Sequence, residues 1–217
     1  DLINASIKDW ACEAIFFFNY TRVNAALTNP ALQTHVEKIF GKTRLQKLQA
    51  EIQDLSIQDR EDLVVNELVE VLKEQHGKFV LKFKFWDEDK DKTSHFLIFV
   101  TKNIKGYEIM KDIMANESFP KSEIASFEYI PSTRQFLLAP APKYTPDFLR
   151  NDILNKFKGQ TLTVQQIYER HSIGAPFTKK NYKKILLGLE SAGTIGANPN
   201  KRRKDTMADT VSITFPN

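Results

Sequence analysis

Thr163-Val164-Gln165-Gln166-Ile167-Tyr168-Glu169-Arg170-His171-Ser172-Ile173-Gly174-Ala175-Pro176-Phe177-Thr178-Lys179-Lys180-Asn181-Tyr182-Lys183-Lys184-Ile185-Leu186-Leu187-Gly188-Leu189-Glu190-Ser191-Ala192-Gly193 carries the clearest architectural signal in the chain. Thr163 can cap a helix that buries Val164, Ile167 and Tyr168 and runs to His171. Gly174 and Pro176 make the turn Ser172–Phe177, and Thr178 caps a second helix, Lys179–Ala192, which closes on Gly193. In that helix Tyr182, Ile185, Leu186 and Leu189 recur at the spacing of one buried face. Working outward, Phe148–Phe157 is a preceding helix with Phe148, Leu149, Ile153, Leu154 and Phe157 apolar. Downstream, Thr194-Ile195-Gly196 reads as a short strand, 198–209 as a polar loop, and Thr210–Phe215 as a strand alternating Val211, Ile213 and Phe215. Helix, helix–turn–helix, strand, basic loop, strand is the order of a winged helix-turn-helix domain.

Charge follows the same division. Residues 147–217 hold twelve Lys/Arg against six Asp/Glu, a net of +6, while the rest of the chain is at −2. Such asymmetry predicts two modules, the basic one facing a polyanion. Lys179, Lys180, Lys183 and Lys184 sit on the early turns of the helix that would enter a major groove, with Asn181 among them. Lys201, Arg202, Arg203 and Lys204 fall at the tip of the expected wing, where they would meet phosphates. These nine residues are the candidate nucleic-acid-binding set. Pro131, Pro140, Pro142 and Pro146 mark a linker over 131–146, between a first module at 1–130 and the winged helix at 147–217.

In the first module, Ala14-Ile15-Phe16-Phe17-Phe18 is a continuous apolar run. Its length and aromatic content predict a strand buried on both faces inside a parallel sheet. The polar cluster after it, Asn19 to Asn24, lies where ligands bind beyond strand carboxyl ends, so Asn19, Arg22 and Asn24 are the weak catalytic candidates. Their competing role is to cap a turn and a helix. Three helical stretches follow: one with Asn29 as N-cap, Pro30 in its first turn and Leu32, Val36, Ile39 and Phe40 as its apolar stripe up to Gly41, then Arg44–Asp54, and Gln58–Gln75 ending at His76-Gly77. Lys78–Trp86 alternates Phe79, Leu81, Phe83 and Phe85 against Val80, Lys82 and Lys84, and pairs with His95–Val100 as a hairpin. The acidic loop 87–92 lacks the glycine and terminal glutamate of a calcium loop and reads as a solvated tip. Ile104–Asn116 is a helix with Tyr107, Met110, Ile113 and Met114 inward, and Gly106 allows close approach to a strand.

Several classes are excluded outright. The chain has 217 residues, 41% hydrophobic and 27% charged, the composition of a globular protein rather than a disordered or fibrous one. No apolar run approaches a membrane span. Cys12 is the single cysteine, so neither a disulfide framework nor a multi-cysteine zinc site exists, and four scattered histidines offer no metal spacing. A cytoplasmic location is expected. The chain opens at Asp1 on a helical apolar spacing of Leu2, Ile3, Ile7 and Trp10, which suggests a piece of a longer protein.

The stretch Glu13 to Asn24 followed by Asn29-Pro30, and the stretch His95 to Asn103 leading into Gly106-Tyr107-Glu108-Ile109-Met110-Lys111, resemble the three-Cys-motif partner protein family (TcmP). The winged helix agrees with that resemblance. It implies an α/β fold: part of a Rossmann-like, class I methyltransferase-type sheet with helices, followed by the winged helix. The Gly-rich turn that holds S-adenosylmethionine and the acidic residue for its ribose are absent here, since the eight glycines are dispersed. The expected function is therefore nucleic-acid binding, duplex DNA first, with no cofactor in this chain and S-adenosylmethionine possible only in a longer parent. A preceding segment or a protein partner is expected to cover the cut sheet edge. The alternative is a protein-interaction adaptor on a degenerate methyltransferase-like scaffold. The chain by itself is expected to be inactive, with S-adenosylmethionine-dependent methyl transfer possible in a longer parent.

Overall fold

The computed structural model describes residues 13–75, 77–88, 92–131, 144–200, 203 and 205–217. They fall into two compact units, one within Asp1–Met110 and Glu128–Arg134, the other within Lys111–Phe127 and Gln135–Asn217. The second unit thus takes in a segment upstream of the proline-rich stretch. Of that stretch, 132–143 lies outside the described residues, as do His76 and the hairpin-tip residues 89–91.

The first unit is built on a four-stranded sheet of β1 (Ala14–Phe18), β2 (Phe79–Trp86), β3 (Thr93–Thr101) and β4 (Glu128–Tyr129), in the order β1-β3-β2-β4. β3 runs antiparallel to both neighbours, with Phe16 opposite Ile98 and Leu81 opposite Phe99, so β1 and β2 point the same way. β4 adds in parallel to β2. Helices α1 (Tyr20–Leu27), α2 (Gln33–Phe40), α3 (Lys42–Glu51) and α4 (Ile57–Glu74) form the layer on one face. Phe18, Phe96, Ile98 and Val100 pack there with Leu27, Val36, Phe40, Leu45, Leu48, Val64, Leu68 and Leu72. Helix α5 (Ile104–Glu117) follows β3, and its Tyr107 ring lies 5.5 Å from Phe79. A Cβ on Gly106 would collide with the Glu13 carboxylate, which Thr101 Oγ1 meets at 2.8 Å, so the expected close approach is real.

Three expectations need correcting. β1 is not an internal strand of a parallel sheet: among the described residues it is an edge, paired antiparallel to β3 alone. Phe18 is buried and Phe16 partly so, but Ile15 and Phe17 are 56% and 59% exposed. A short apolar run has no periodicity to separate one-sided from two-sided burial. Lys84, expected on the polar side of β2, is buried against Glu61 of α4 at 2.6 Å and sits 4.1 Å over the Trp86 ring. Ile113, expected inward on α5, is exposed, whereas Tyr107 and Met114 are buried as expected.

The second unit contains α6 (Pro146–Lys156), β5 (Thr161–Thr163), α7 (Val164–His171), α8 (Lys179–Ser191), β6 (Gly196–Asn198) and β7 (Ser212–Thr214). Local chemistry sets the boundaries. Thr145 caps α6 by accepting from Phe148 N at 3.1 Å, with Pro146 in the first turn. Thr163 and Gln166 form a reciprocal capping box at the start of α7. The strands pair antiparallel in the order β5-β7-β6. One core unites Leu149, Ile153, Val164, Ile167, Tyr168, Phe177, Tyr182, Leu186, Ile213 and Phe215. This is a winged helix-turn-helix, with β5 as a further strand in what periodicity alone reads as a connection.

Candidate nucleic-acid interface

Helix α8 brings Lys179, Lys180, Asn181, Lys183 and Lys184 onto its first two turns. Their surroundings divide them. Lys179 is buried: its Nζ donates to Gln165 Oε1 at 2.6 Å and to Asp209 Oδ2 at 3.0 Å, and lies 5.2 Å over the Tyr168 ring. Lys183 meets the other oxygen of the same carboxylate at 2.7 Å. Burial works against ionisation of Asp209, but the hydrogen bonds from Lys183 and Lys179 outweigh it and hold the carboxyl below its ordinary range. Two of the lysines therefore share one carboxylate from the β6–β7 connection.

Asn181 and Lys184 have a different partner. Asn181 Oδ1 accepts from Thr178 N and Oγ1 at 2.8 Å each, which closes the N-terminus of α8. Its amide donates to the Glu123 carbonyl at 3.1 Å. Lys184 Nζ meets the Glu123 carboxylate at 2.6 Å. Lys180 is exposed, and among the described residues no acid stands against it. On the wing, Arg203 is exposed, while Lys201, Arg202 and Lys204 lie outside the described residues.

Beneath this surface the domain is tied by a buried polar relay. His171, at the end of α7, contacts Tyr182 Oη of α8 at 2.6 Å through Nδ1 and Asp152 of α6 at 2.9 Å through Nε2. Burial pulls the imidazole below its ordinary pKa against the opposing pull of Asp152. Lys111 is fully buried, donates to the Ser172 carbonyl at 2.6 Å, and is pushed down to about 7 by burial. Neither group stands out in the sequence, because a lone histidine or lysine at a helix position gives no sign of its burial.

The residues after β1 take up structural positions. Asn19 caps α1, accepting from Arg22 N at 3.0 Å. Arg22 is exposed on that helix, and Asn24 is half-buried with no partner for its buried Oδ1 among the described residues. Tyr20 is buried beside them, and burial followed by the charge of Glu61 pushes its phenol up to about 12. Among the described residues no group of His, Cys, Asp or Glu could hold a metal ion, and no helix is long and apolar enough to cross a membrane.

Comparison with known proteins agrees with the geometry of the second unit. Residues 128–202 match the family model described as GMT-like wHTH domain. No curated protein and no solved structure matches the chain.

Proposed function

We propose that the winged helix of this protein binds nucleic acid, duplex DNA in the first instance, mainly through phosphate contacts. The observation that carries the proposal is the fold of residues 145–217 itself, a winged helix-turn-helix with a Lys-Arg-Arg-Lys run on the β6–β7 connection. Lys201, Arg202, Arg203 and Lys204 serve as the phosphate clamp. On α8, Lys180 adds a further cation, whereas Lys179 and Lys183 hold the domain together through Asp209. Asn181, spent on its cap, reads no base while Glu123 stays in place.

For the first unit we infer the later part of a methyltransferase-like sheet. The reversal of β3 between two strands of common direction supports that reading, as does the helix layer over one face. S-adenosylmethionine does not fit the residues present. β1 passes into α1 through Asn19 alone, with buried Tyr20 immediately behind it, so no glycine turn lets a ligand approach the backbone. The chain by itself should neither bind that cofactor nor turn over, and titration calorimetry showing saturable micromolar binding would reverse this. A strand from a preceding segment or from a protein partner would pair with the outer edge of β1.

The test of nucleic-acid binding is fluorescence anisotropy with a short random-sequence duplex at several salt concentrations. Wild type should bind weakly at low salt and lose affinity steeply as salt rises. Replacing all four wing cations by Gln should flatten the logarithmic salt slope by about 0.9 for each phosphate that is no longer neutralised. Absence of binding at low salt would favour the adaptor reading. That reading has its own support: Asp209 and Glu123 show that the lysines of α8 take carboxylates as ligands.

A further inference from the structure

The groove-facing side of α8 is already engaged, by a segment of the same unit. Residues 118–127 form a closed excursion between α5 and β4. Ser118 Oγ donates to Met114 O at 2.9 Å and accepts from Phe127 N at 3.1 Å, pinning the two ends together. Ile124 anchors the middle by packing into the winged-helix core, 9% exposed. The residue before it, Glu123, is thereby held against α8, where its carbonyl accepts from Asn181 and its carboxylate meets Lys184. Asn181 and Lys184 are three positions apart and share one helix face. A single residue thus engages, with backbone and side chain, two of the residues best placed to reach a duplex.

The two acids that face α8 are held with different firmness. Asp209 grips Lys179, whose side chain is 9% exposed, and leaves no room for exchange. The Lys184–Glu123 pair is open, with side chains 70% and 50% exposed. An exposed ion pair of this kind contributes little and is screened by salt. A phosphate can replace it without unfolding anything, because Ile124 keeps the segment seated.

We propose that Glu123 is a built-in competitor of nucleic acid: it occupies Lys184 and Asn181 and withholds them from a backbone phosphate, which takes its place on Lys184 once the carboxylate charge is removed. The proposal rests on the nucleic-acid reading given above and adds a regulatory contact to it. It follows that Glu123 lowers affinity for every sequence alike and that Lys184 is silent until Glu123 is removed.

The experiment uses the 217-residue chain and a fluorescein-labelled duplex, with folding checked by circular dichroism. Glu123→Gln keeps the side-chain volume and the backbone contact while removing the charge. It should tighten binding roughly 2–5-fold and steepen the salt slope by about 0.9, the mark of one further neutralised phosphate. Lys184→Gln should change wild-type affinity little, yet abolish the gain when combined with Glu123→Gln. Glu117→Gln, an equal loss of charge on the exposed end of α5, is the control and should have a smaller effect. If wild type binds but Glu123→Gln matches it in affinity and slope, or if Glu117→Gln gives the same gain, the competitor is overturned and nucleic-acid binding stands. If neither wild type nor Glu123→Gln binds at low salt, both fall together.

Discussion

The two sheets of this protein end in different ways. In the winged helix, β5 and β6 flank β7 with three residues each, and the inward side chains of all three meet α6, α7 and α8 in one closed core. In the first unit, β1 presents five apolar residues at an edge without a lysine, proline or bulge to guard it, and leaves Ile15 and Phe17 in solvent. The winged helix gathers most of its apolar side chains into that core, with Phe148 and Ile173 left 46% and 47% exposed. Among the described residues, the sheet of the first unit satisfies one side of β1 only. That contrast indicates where each unit holds its stability and where it is built to take on something else.

The largest effect that can break this comparison is a core truncation set against an edge truncation. Leu186 is fully buried on α8, so Leu186→Ala should cost about 2–5 kcal/mol, transfer and cavity terms together. Ile15→Ala, at an exposed position, should stay within about 0.5 kcal/mol. Urea unfolding followed by tryptophan fluorescence and circular dichroism measures both. A comparable loss at Ile15 would mean that the β1 edge is covered in solution and that the two sheets are alike.

How much of this is legible in the sequence differs between the units for the same physical reason. Tyr182, Ile185, Leu186 and Leu189 repeat at the helical period, and Thr163 and Thr178 sit at the caps, so the apolar faces and starts of α7 and α8 agree between sequence and structure. Ala14–Phe18 has no period to read, and its place at an edge depends on β3, about eighty residues away. The three-residue β5 is defined only by its partner β7. For the candidate site, the lysines themselves are legible and their availability is not. Whether an ammonium is buried, paired or open depends on Asp209 and Glu123, which lie on other elements. Lys84 teaches the same lesson in the first unit, where alternation places it on a polar face and Glu61 of α4 draws it inside.

A smaller effect sharpens the distinction among the α8 lysines. Lys179→Ala removes two partly buried hydrogen bonds and takes the Lys179 donor from Gln165, while Asp209 keeps Lys183. A loss of about 1–3 kcal/mol is expected. Lys184→Ala breaks an exposed pair and should cost well under about 1 kcal/mol. Equal losses in thermal unfolding would place both lysines in the same structural class and remove the basis for treating Lys184 as exchangeable.

The smallest effect concerns the two histidines, one from each unit. His95 is stacked between Phe17 at 4.2 Å and Phe85 at 4.5 Å, and burial alone draws its pKa down. His171 is held by polar partners on both ring nitrogens. At neutral pH the neutral ring satisfies both: Nε2–H donates to Asp152, and Nδ1 accepts from the Tyr182 hydroxyl. Protonation puts a second N–H against that hydroxyl, which then has to turn away inside the core. The folded pKa lies below the unfolded value near 6.5, so the unfolded chain binds protons first as pH falls. Stability from His171 is accordingly complete above about pH 6.5 and declines below it, with a slope of at most about 1.4 kcal/mol per pH unit. His95 contributes with the same sign. The two replacements separate them. His95→Phe keeps a ring in the stack and should flatten the acid slope with little loss at pH 8. His171→Phe also removes titration, but takes away the Tyr182 hydroxyl's bond to Nδ1 and the bond to Asp152, and should cost about 1–3 kcal/mol at pH 8. Melting curves of both variants and wild type between pH 8 and 5 decide the matter. A His171→Phe protein as stable as wild type at pH 8 would show that the relay through Asp152 and Tyr182 does not hold the three helices together.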